Sequence, residues 1–348
     1  MVTTACLESA NAKFHALRES ATRLPASQCI GSMNWPGTNL LLQLRLPRRW
    51  LILAVFILQG PLTSAGEPTV EILSLPPLRI HGQPARAHAQ GLNLIDEDYY
   101  VTARRDDVQP RRALLLRTAP GRKDWDIWDI TPVEGKDPAP AMDHPGGFQS
   151  DGERLWIPLA ESRRNGFSMI RVFVLADLIP GQPLQSEFEF PVNDHIGALA
   201  VDLERGRVLG ASWDTETVYV WDLKGRLQQT MTGTDLNGRG LGVSTARNAP
   251  PGLAVQDWKC VGPRLIASGL LKGLTSAPTS SKSRLMVFDG FFEETFQKQV
   301  IILPSPTGIE IANEGMDVSD GAVYFLPEDL GATNRMFRVR LGDLFTGK

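Results

Sequence analysis

One short pattern returns five times along the chain, and that recurrence constrains the fold more than any other feature. The copies are His88-Ala-Gln-Gly91-Leu-Asn-Leu-Ile, His144-Pro-Gly-Gly147-Phe-Gln, His195-Ile-Gly-Ala198-Leu-Ala-Val-Asp202, Ala249-Pro-Pro-Gly252-Leu-Ala-Val and Ala312-Asn-Glu-Gly315-Met-Asp-Val. Each sets a small residue three positions after its first residue and follows it with a large apolar one. A polar turn and a second strand-like run come next, as in Tyr99-Tyr-Val-Thr-Ala103 and Val323-Tyr-Phe-Leu326. The turns carry Asp-Gly, Arg-Gly or Asp-Glu pairs, which suit tight hairpins. Third runs follow, among them Thr217-Val-Tyr-Val-Trp221 and Arg284-Leu-Met-Val-Phe288, and fourth runs occur at 125–128, 188–190, 227–231 and 300–303.

The fifth unit runs out of chain before a fourth strand. A substitute lies ahead of the first unit, in Val70-Glu-Ile-Leu-Ser-Leu75. Four-stranded units about 50 to 60 residues apart, the last completed by an N-terminal strand, predict an all-β chain folded as a five-bladed β-propeller. Such a ring closes on itself and leaves few strand edges exposed. A six-bladed ring and a β-sandwich are the alternatives; the sandwich explains the strands but not the recurring glycine. No stretch sustains a 3.6-residue apolar period, so helices are expected to be scarce.

The N-terminal segment reads differently. Arg45-Leu-Pro-Arg48-Arg49, an apolar run from Trp50 to Leu58 and the small tripeptide Thr63-Ser64-Ala65 follow one another. Basic, apolar and small parts in that order form a signal peptide, and the apolar run falls far short of the ~20 residues of a membrane-spanning helix. Residues 1–65 are therefore read as a signal segment cleaved after Ala65, with Met33 as an alternative start. Residues 66–348 form the propeller domain, and membrane contact is limited to the signal segment before cleavage. The expected location is periplasmic or secreted.

Removal of that segment leaves 30 Lys and Arg against 37 Asp and Glu, with the basic residues scattered. No nucleic-acid footprint is present. Cys260 is the one cysteine left, so neither an internal disulfide nor a paired-cysteine zinc site is available.

His88, His144 and His195 occupy the first position of three successive units. In a propeller, equivalent positions of inner strands form a ring around one axis. Three imidazoles with Glu314 as a carboxylate offer ligands for one divalent metal, zinc or calcium. The same residues equally suit hydrogen-bonded staples between blades. Glu314 and Asp317 are the candidate catalytic carboxylates. Glu161, Asp214 and Glu328 follow second strands and are expected on one rim, and Trp156, Trp213 and Trp258 are candidates for core packing or ligand stacking.

The segments His88-Ala-Gln-Gly-Leu92 and Glu314-Gly-Met-Asp-Val-Ser-Asp-Gly321, with Phe325-Leu-Pro-Glu-Asp329, resemble inner-strand signatures of secreted propellers of the phytase-like esterase, gluconolactonase and strictosidine-synthase-like groups. The resemblance implies calcium in the central channel, with Glu314 as the acidic ligand and Asp317 assisting. This chain departs from that pattern by carrying His, Gln or Pro at the other channel positions. Two functions follow as expectations: binding of a small-molecule or protein ligand at the channel mouth or rim loops, or a metal-assisted hydrolase or lactonase of the cell envelope.

Overall fold

The computed structural model describes residues 68–132, 141–243, 251–273 and 281–345. The signal segment expected over residues 1–65 lies outside them. The chain divides into the units Met1–Thr63 and Ser64–Lys348, and all the described residues belong to the second.

Five antiparallel sheets form a five-bladed β-propeller. Blade 1 runs outward through His88–Ile95, Asp98–Arg105, Arg112–Thr118 and Asp126–Asp129. Blade 2 has a split inner strand, His144–Pro145 and Gln149–Ser150, followed by Arg154–Ala160, Ser168–Val174 and Phe188–Val192. Blade 3 comprises Ile196–Asp202, Arg207–Ser212, Thr217–Asp222 and Leu227–Thr232, and blade 4 Gly252–Val261, Arg264–Lys272, Ser283–Asp289 and Gln297–Ile302. Blade 5 has three strands from the end of the chain, Gly315–Ser319, Ala322–Leu326 and Asn334–Arg340. Its fourth is the N-terminal strand Val70–Leu75, antiparallel to the third in a register from Val70 opposite Val339 to Leu75 opposite Asn334.

Turn chemistry sets the hairpins. In blade 5 both Asp320 (φ 50°) and Gly321 (φ 70°) take positive φ, the signature of the tight turn whose twist matches paired strands. Strand alternation then sends successive side chains to opposite faces of each sheet. Val101 of blade 1 shares one buried apolar cluster with Tyr324 and Met336 of blade 5, and its neighbour Tyr100 shares another with Leu155 and Phe173 of blade 2. Trp156 and Trp221 belong to one cluster spanning blades 2 and 3, Trp258 and Leu209 to one spanning blades 3 and 4, and Phe337 and Leu285 to one spanning blades 4 and 5. The described residues thus hold an apolar core at each of the five blade junctions. A two-layer sandwich would hold one core between its sheets.

The hairpin ends also fix which residues are equivalent. Ile95, Asp202, Val261 and Ser319 each end an inner strand, and in blade 2 the equivalent hairpin residue, just past Ser150, is Asp151, whose amide donates to the Arg154 carbonyl (3.0 Å). Counting back from them aligns His88, His144, His195, Ala254 and Ala312. The sequence alignment of blade 4 on Ala249-Pro-Pro-Gly252 is therefore five residues out of register. A bulge confirms the correction, since the pairing skips Gln90 in blade 1, Gly197 in blade 3 and Gln256 in blade 4.

With that register the small residues acquire a reason. The ring three positions along is Gly91, Gly147, Ala198, Asp257 and Gly315. A Cβ on Gly315 would sit 2.7 Å from the Gly91 carbonyl carbon, and one on Gly147 2.5 Å from Asp257 Oδ1. At Gly91, Gly147 and Gly315 the surroundings approach so closely that a Cβ is excluded, blade 3 carries only the methyl of Ala198, and blade 4 fills the space with a single carboxylate.

Candidate functional site at the channel mouth

Asp257 acts as the axle of the ring. Its Oδ2 accepts from the amides of Leu92 in blade 1 (3.2 Å) and Met316 in blade 5 (3.0 Å). Its Oδ1 accepts from the Trp258 amide (2.9 Å) and from Lys259 Nζ (2.5 Å), which also donates to the Phe148 carbonyl in blade 2 (2.7 Å). Full burial raises the Asp257 carboxyl to about 6, against the pull of Lys259 and the amide donors.

Two positions further along, Asn93, Gln149, Lys259 and Asp317 form a second polar layer. Asn93 Nδ2 donates to Asp317 Oδ2 (2.9 Å), and its Oδ1 accepts from the Ser150 amide (2.8 Å). Gln149 Oε1 accepts from the amides of Val201 (3.0 Å) and Cys260 (2.9 Å), and its Nε2 donates to the Cys260 carbonyl (2.8 Å). These residues staple blades to one another. Asp317, expected as a catalytic carboxylate, belongs to this layer. Its Oδ2 also accepts from the Leu94 amide (2.5 Å), burial raises its carboxyl, and it does not line the mouth.

Above the axle the channel opens into a hollow of about 170 Å³. Its walls include His88, His144, His195, Gln90, Gln256 and Glu314 from inner strands or their approaches, with Trp213, Asp214 and Lys272 from loops and second strands. The three histidines and Glu314 therefore do converge, and their hydrogen bonds give them different states.

Arg104, held by Asp106 through two bonds (2.7 and 3.1 Å), donates from Nη1 to His144 Nδ1 (2.8 Å). A guanidinium has no lone pair to offer, so Nδ1 is the acceptor and the ring proton lies on Nε2. Nε2 in turn donates to Gln90 Oε1 (2.9 Å), and the Gln90 amide N–H groups have no partner among the described residues. Burial first, and then His195 and Arg104, hold His144 well below the ordinary histidine range, so its imidazole is neutral.

His195 is arranged the opposite way. Its Nδ1 donates to the carbonyls of Glu161 (2.7 Å) and Arg163 (3.2 Å), which leaves Nε2 as a lone-pair acceptor with no partner among the described residues. Burial lowers its pKa although the carbonyl bonds oppose the shift. The ring meets His144 edge-on at 5.1 Å and Trp213 at 4.6 Å between centroids.

His88 Nδ1 lies 2.5 Å from Asp329 Oδ1, and its Nε2 faces Glu314 Oε1 at 3.6 Å. Glu314 is buried, its Oε1 accepting from Asn313 Nδ2 (2.8 Å). Burial pushes its carboxyl well above the usual range, and the nearby Asp329 charge adds to that. An acid that keeps its proton beside a carboxylate-oriented imidazole is a pair suited to proton transfer.

The expected metal set of His88, His144, His195 and Glu314 takes a different form here. Among the described residues no group of three or more His, Cys, Asp or Glu is placed to hold a metal ion. Both His144 nitrogens are committed, one to the Arg104 guanidinium and the other to the Gln90 carbonyl oxygen. Of the rim carboxylates, Asp214 reaches the mouth and pairs with Lys272 and Arg164, Glu161 orients His195 through its carbonyl, and Glu328 pairs with Arg335 (2.8 Å). Trp156 and Trp258 are buried in the core and Trp213 lines the mouth.

Sequence reasoning gave no role at the mouth to Gln90, Gln256, Arg104, Lys272 or Asp329, although Gln90 and Asp329 stand in the segments that carry the resemblance. The first two become visible once blade 4 is registered by its hairpin end, because Gln90, Gln256 and Glu314 then share one position. The other three come from different strands and loops and show no repeat.

No curated protein matches the chain. Among solved structures it is similar to a β-xylosidase/α-arabinofuranosidase of the GH43 type from a compost microbial metagenome, with 11% identity and a TM-score of 0.46 over 78% of this chain and 95% of that one. It is also similar to a putative glycoside hydrolase from Bacteroides ovatus, with 10% identity and a TM-score of 0.46 over 74% and 87% of the two chains. The WD40 repeats of RRP9 match at 10% identity and a TM-score of 0.38, over 79% of this chain and 99% of that one. Residues 127–338, more than half of the chain, match the model of a family of unknown function, DUF6454. That match does not single out the esterase, gluconolactonase or strictosidine-synthase-like groups.

Proposed function

The chain belongs to DUF6454, a family of unknown function, so its role has to be read from the channel, and we propose that the channel mouth is the binding site of a small polar ligand in an exported, periplasmic or secreted protein. One observation supports this most. Asn93, Gln149, Lys259 and Asp317 below the mouth are committed to blade staples, whereas His195 Nε2, the Gln90 amide and the second oxygen of Glu314 have no partner among the described residues and belong to side chains that line the hollow. Buried polar groups are ordinarily satisfied, and a set left open in one concavity is a set available to a ligand.

The test is thermal stabilisation of the purified protein by a panel of small polar compounds. A ligand at about 100 times its Kd stabilises by about 2.7 kcal/mol. The expected result is a compound whose stabilising effect disappears in Glu314→Gln while the unliganded melting temperature is kept. A panel without any such compound would count against the reading. The proposed location is checked by the N-terminus of protein recovered from the cell envelope, where an intact Arg45–Leu58 segment would argue against cleavage.

A second reading, a hydrolase or lactonase of the cell envelope, draws on the His88–Asp329 contact. Asp329 holds the imidazole so that Nε2 serves as base, and Glu314 supplies the proton. Turnover of an ester or lactone that Glu314→Gln removes and Asp329→Asn reduces would favour it over binding alone.

A further inference from the structure

We propose that the ligand of the mouth is a neutral polyhydroxylated molecule of about monosaccharide size; this rests on the mouth being a ligand site at all. The argument starts from the charges around the hollow. Lys272 and Arg164 both bind Asp214, Arg164 also binds Glu216 (2.5 Å), Arg104 is held by Asp106, and His88 is held by Asp329. Lys272, Arg164 and Arg104 each already have an anion among the described residues. A charged ligand would lose its hydration without meeting an unpaired opposite charge, and that desolvation is costly.

What stays open is directional and uncharged. The chain Asp106–Arg104–His144–Gln90 fixes the Gln90 amide with its oxygen turned to His144, so Gln90 presents N–H donors. The carbonyls of Glu161 and Arg163 fix the other tautomer of His195, so His195 presents an acceptor. Gln256, whose side-chain amide makes no hydrogen bond among the described residues, adds one group of each kind from the far wall, and Glu314 adds its second oxygen. A hydroxyl donates one hydrogen bond and accepts others, so a molecule carrying several of them matches a wall of alternating donors and acceptors. Trp213 supplies an apolar surface beside His195. The space, about 170 Å³, lies below the roughly 300 Å³ at which pockets for drug-sized ligands begin.

In this scheme His144 is a positioning residue. It touches the ligand through Gln90, whose orientation it sets.

The experiment is calorimetric titration of the purified protein, at fixed ionic strength, with D-glucose, D-galactose, D-xylose, L-arabinose and myo-inositol, against D-glucuronate, D-glucosamine, citrate and phosphate. The expected result is at least one neutral compound that binds at least tenfold tighter than any charged one. Gln90→Ala and His195→Ala each weaken it at least tenfold, and His144→Phe weakens it whereas His144→Gln, which can still donate to Gln90, partly restores it. Circular dichroism and melting of each variant separate lost binding from lost fold. A charged compound that binds as tightly, and loses binding in Glu314→Gln, would overturn the ligand class and leave the mouth as the site. A neutral compound whose affinity none of these variants changes would overturn the proposal by placing binding elsewhere. Failure of every compound, with others stabilising the protein through Glu314, would overturn it in the same way as a charged ligand; failure with no Glu314-dependent ligand at all removes the premise too.

Discussion

Two glycines in one ring of the channel offer a matched test of why the inner strands carry small residues. Gly146 and Gly197 hold the same position in blades 2 and 3, two residues after His144 and His195, and neither has positive φ. A Cβ on Gly146 would lie 2.3 Å from the Gly197 carbonyl oxygen and 2.7 Å from its carbon, whereas a Cβ on Gly197 meets nothing within 4 Å. The obstacle is backbone, and the two strands are tied by the bonds from the Gly147 amide to the Gly197 carbonyl and from the Leu199 amide to the Gly147 carbonyl, both 2.9 Å. An ordinary contact requires the strands to part by about 1 Å, and overpacking of this kind costs roughly 1–3 kcal/mol, occasionally more. Gly146→Ala is expected near the upper end, about 3 kcal/mol. Gly197→Ala is expected to be neutral or to gain about 0.4–1 kcal/mol through the unfolded chain. Urea unfolding reads both, and with m near 3 kcal/mol/M the Gly146 variant unfolds about 1 M earlier. Equal midpoints for the two variants would refute the close-approach argument.

Other consequences follow from the axle and the mouth. Lys259→Met leaves Asp257 buried without its cation and is expected to cost about 3–5 kcal/mol in the same assay. Because burial lifts Asp257 to about 6 from 3.8, its contribution to stability is greatest below pH 3.8 and is lost as pH rises through 6; Asp257→Asn should flatten that slope. His144 has the opposite sign. Its folded pKa is depressed, so its contribution is present above the ordinary value of 6.5 and is lost as pH falls below it, and the difference in stability between wild type and His144→Gln should shrink in that direction.

The recurring small residue was visible in the sequence because close packing around an axis imposes the same demand on every blade. The N-terminal strand that closes blade 5 was visible for a related reason: the last unit lacked a strand and the chain had one to spare. Blade 4 misled because its axial position carries Asp257, the one large side chain in a ring of glycine and alanine, while Gly252 mimicked the motif five residues early. Gly252 serves a different need, since a Cβ there would meet the Gly242 carbonyl oxygen at 1.7 Å. The histidines were legible as a set, but their hydrogen-bond partners were not. Arg104, Glu161 and Asp329 occupy non-equivalent places in three blades, and a search for similarity passes over residues that occur once.

The central claim is that three histidines at one repeat position share one mouth and are divided by their partners, with His144 committed at both nitrogens, His195 open at Nε2 and His88 set between Asp329 and Glu314. Long-range nitrogen–proton NMR of the imidazoles, assigned with single His→Gln variants at pH 7.5, reads this directly. The account predicts a neutral His144 with its proton on Nε2 and a neutral His195 with its proton on Nδ1, His88 keeping its Nδ1 proton toward Asp329. The same tautomer at His144 and His195, or a charged His144, would contradict it.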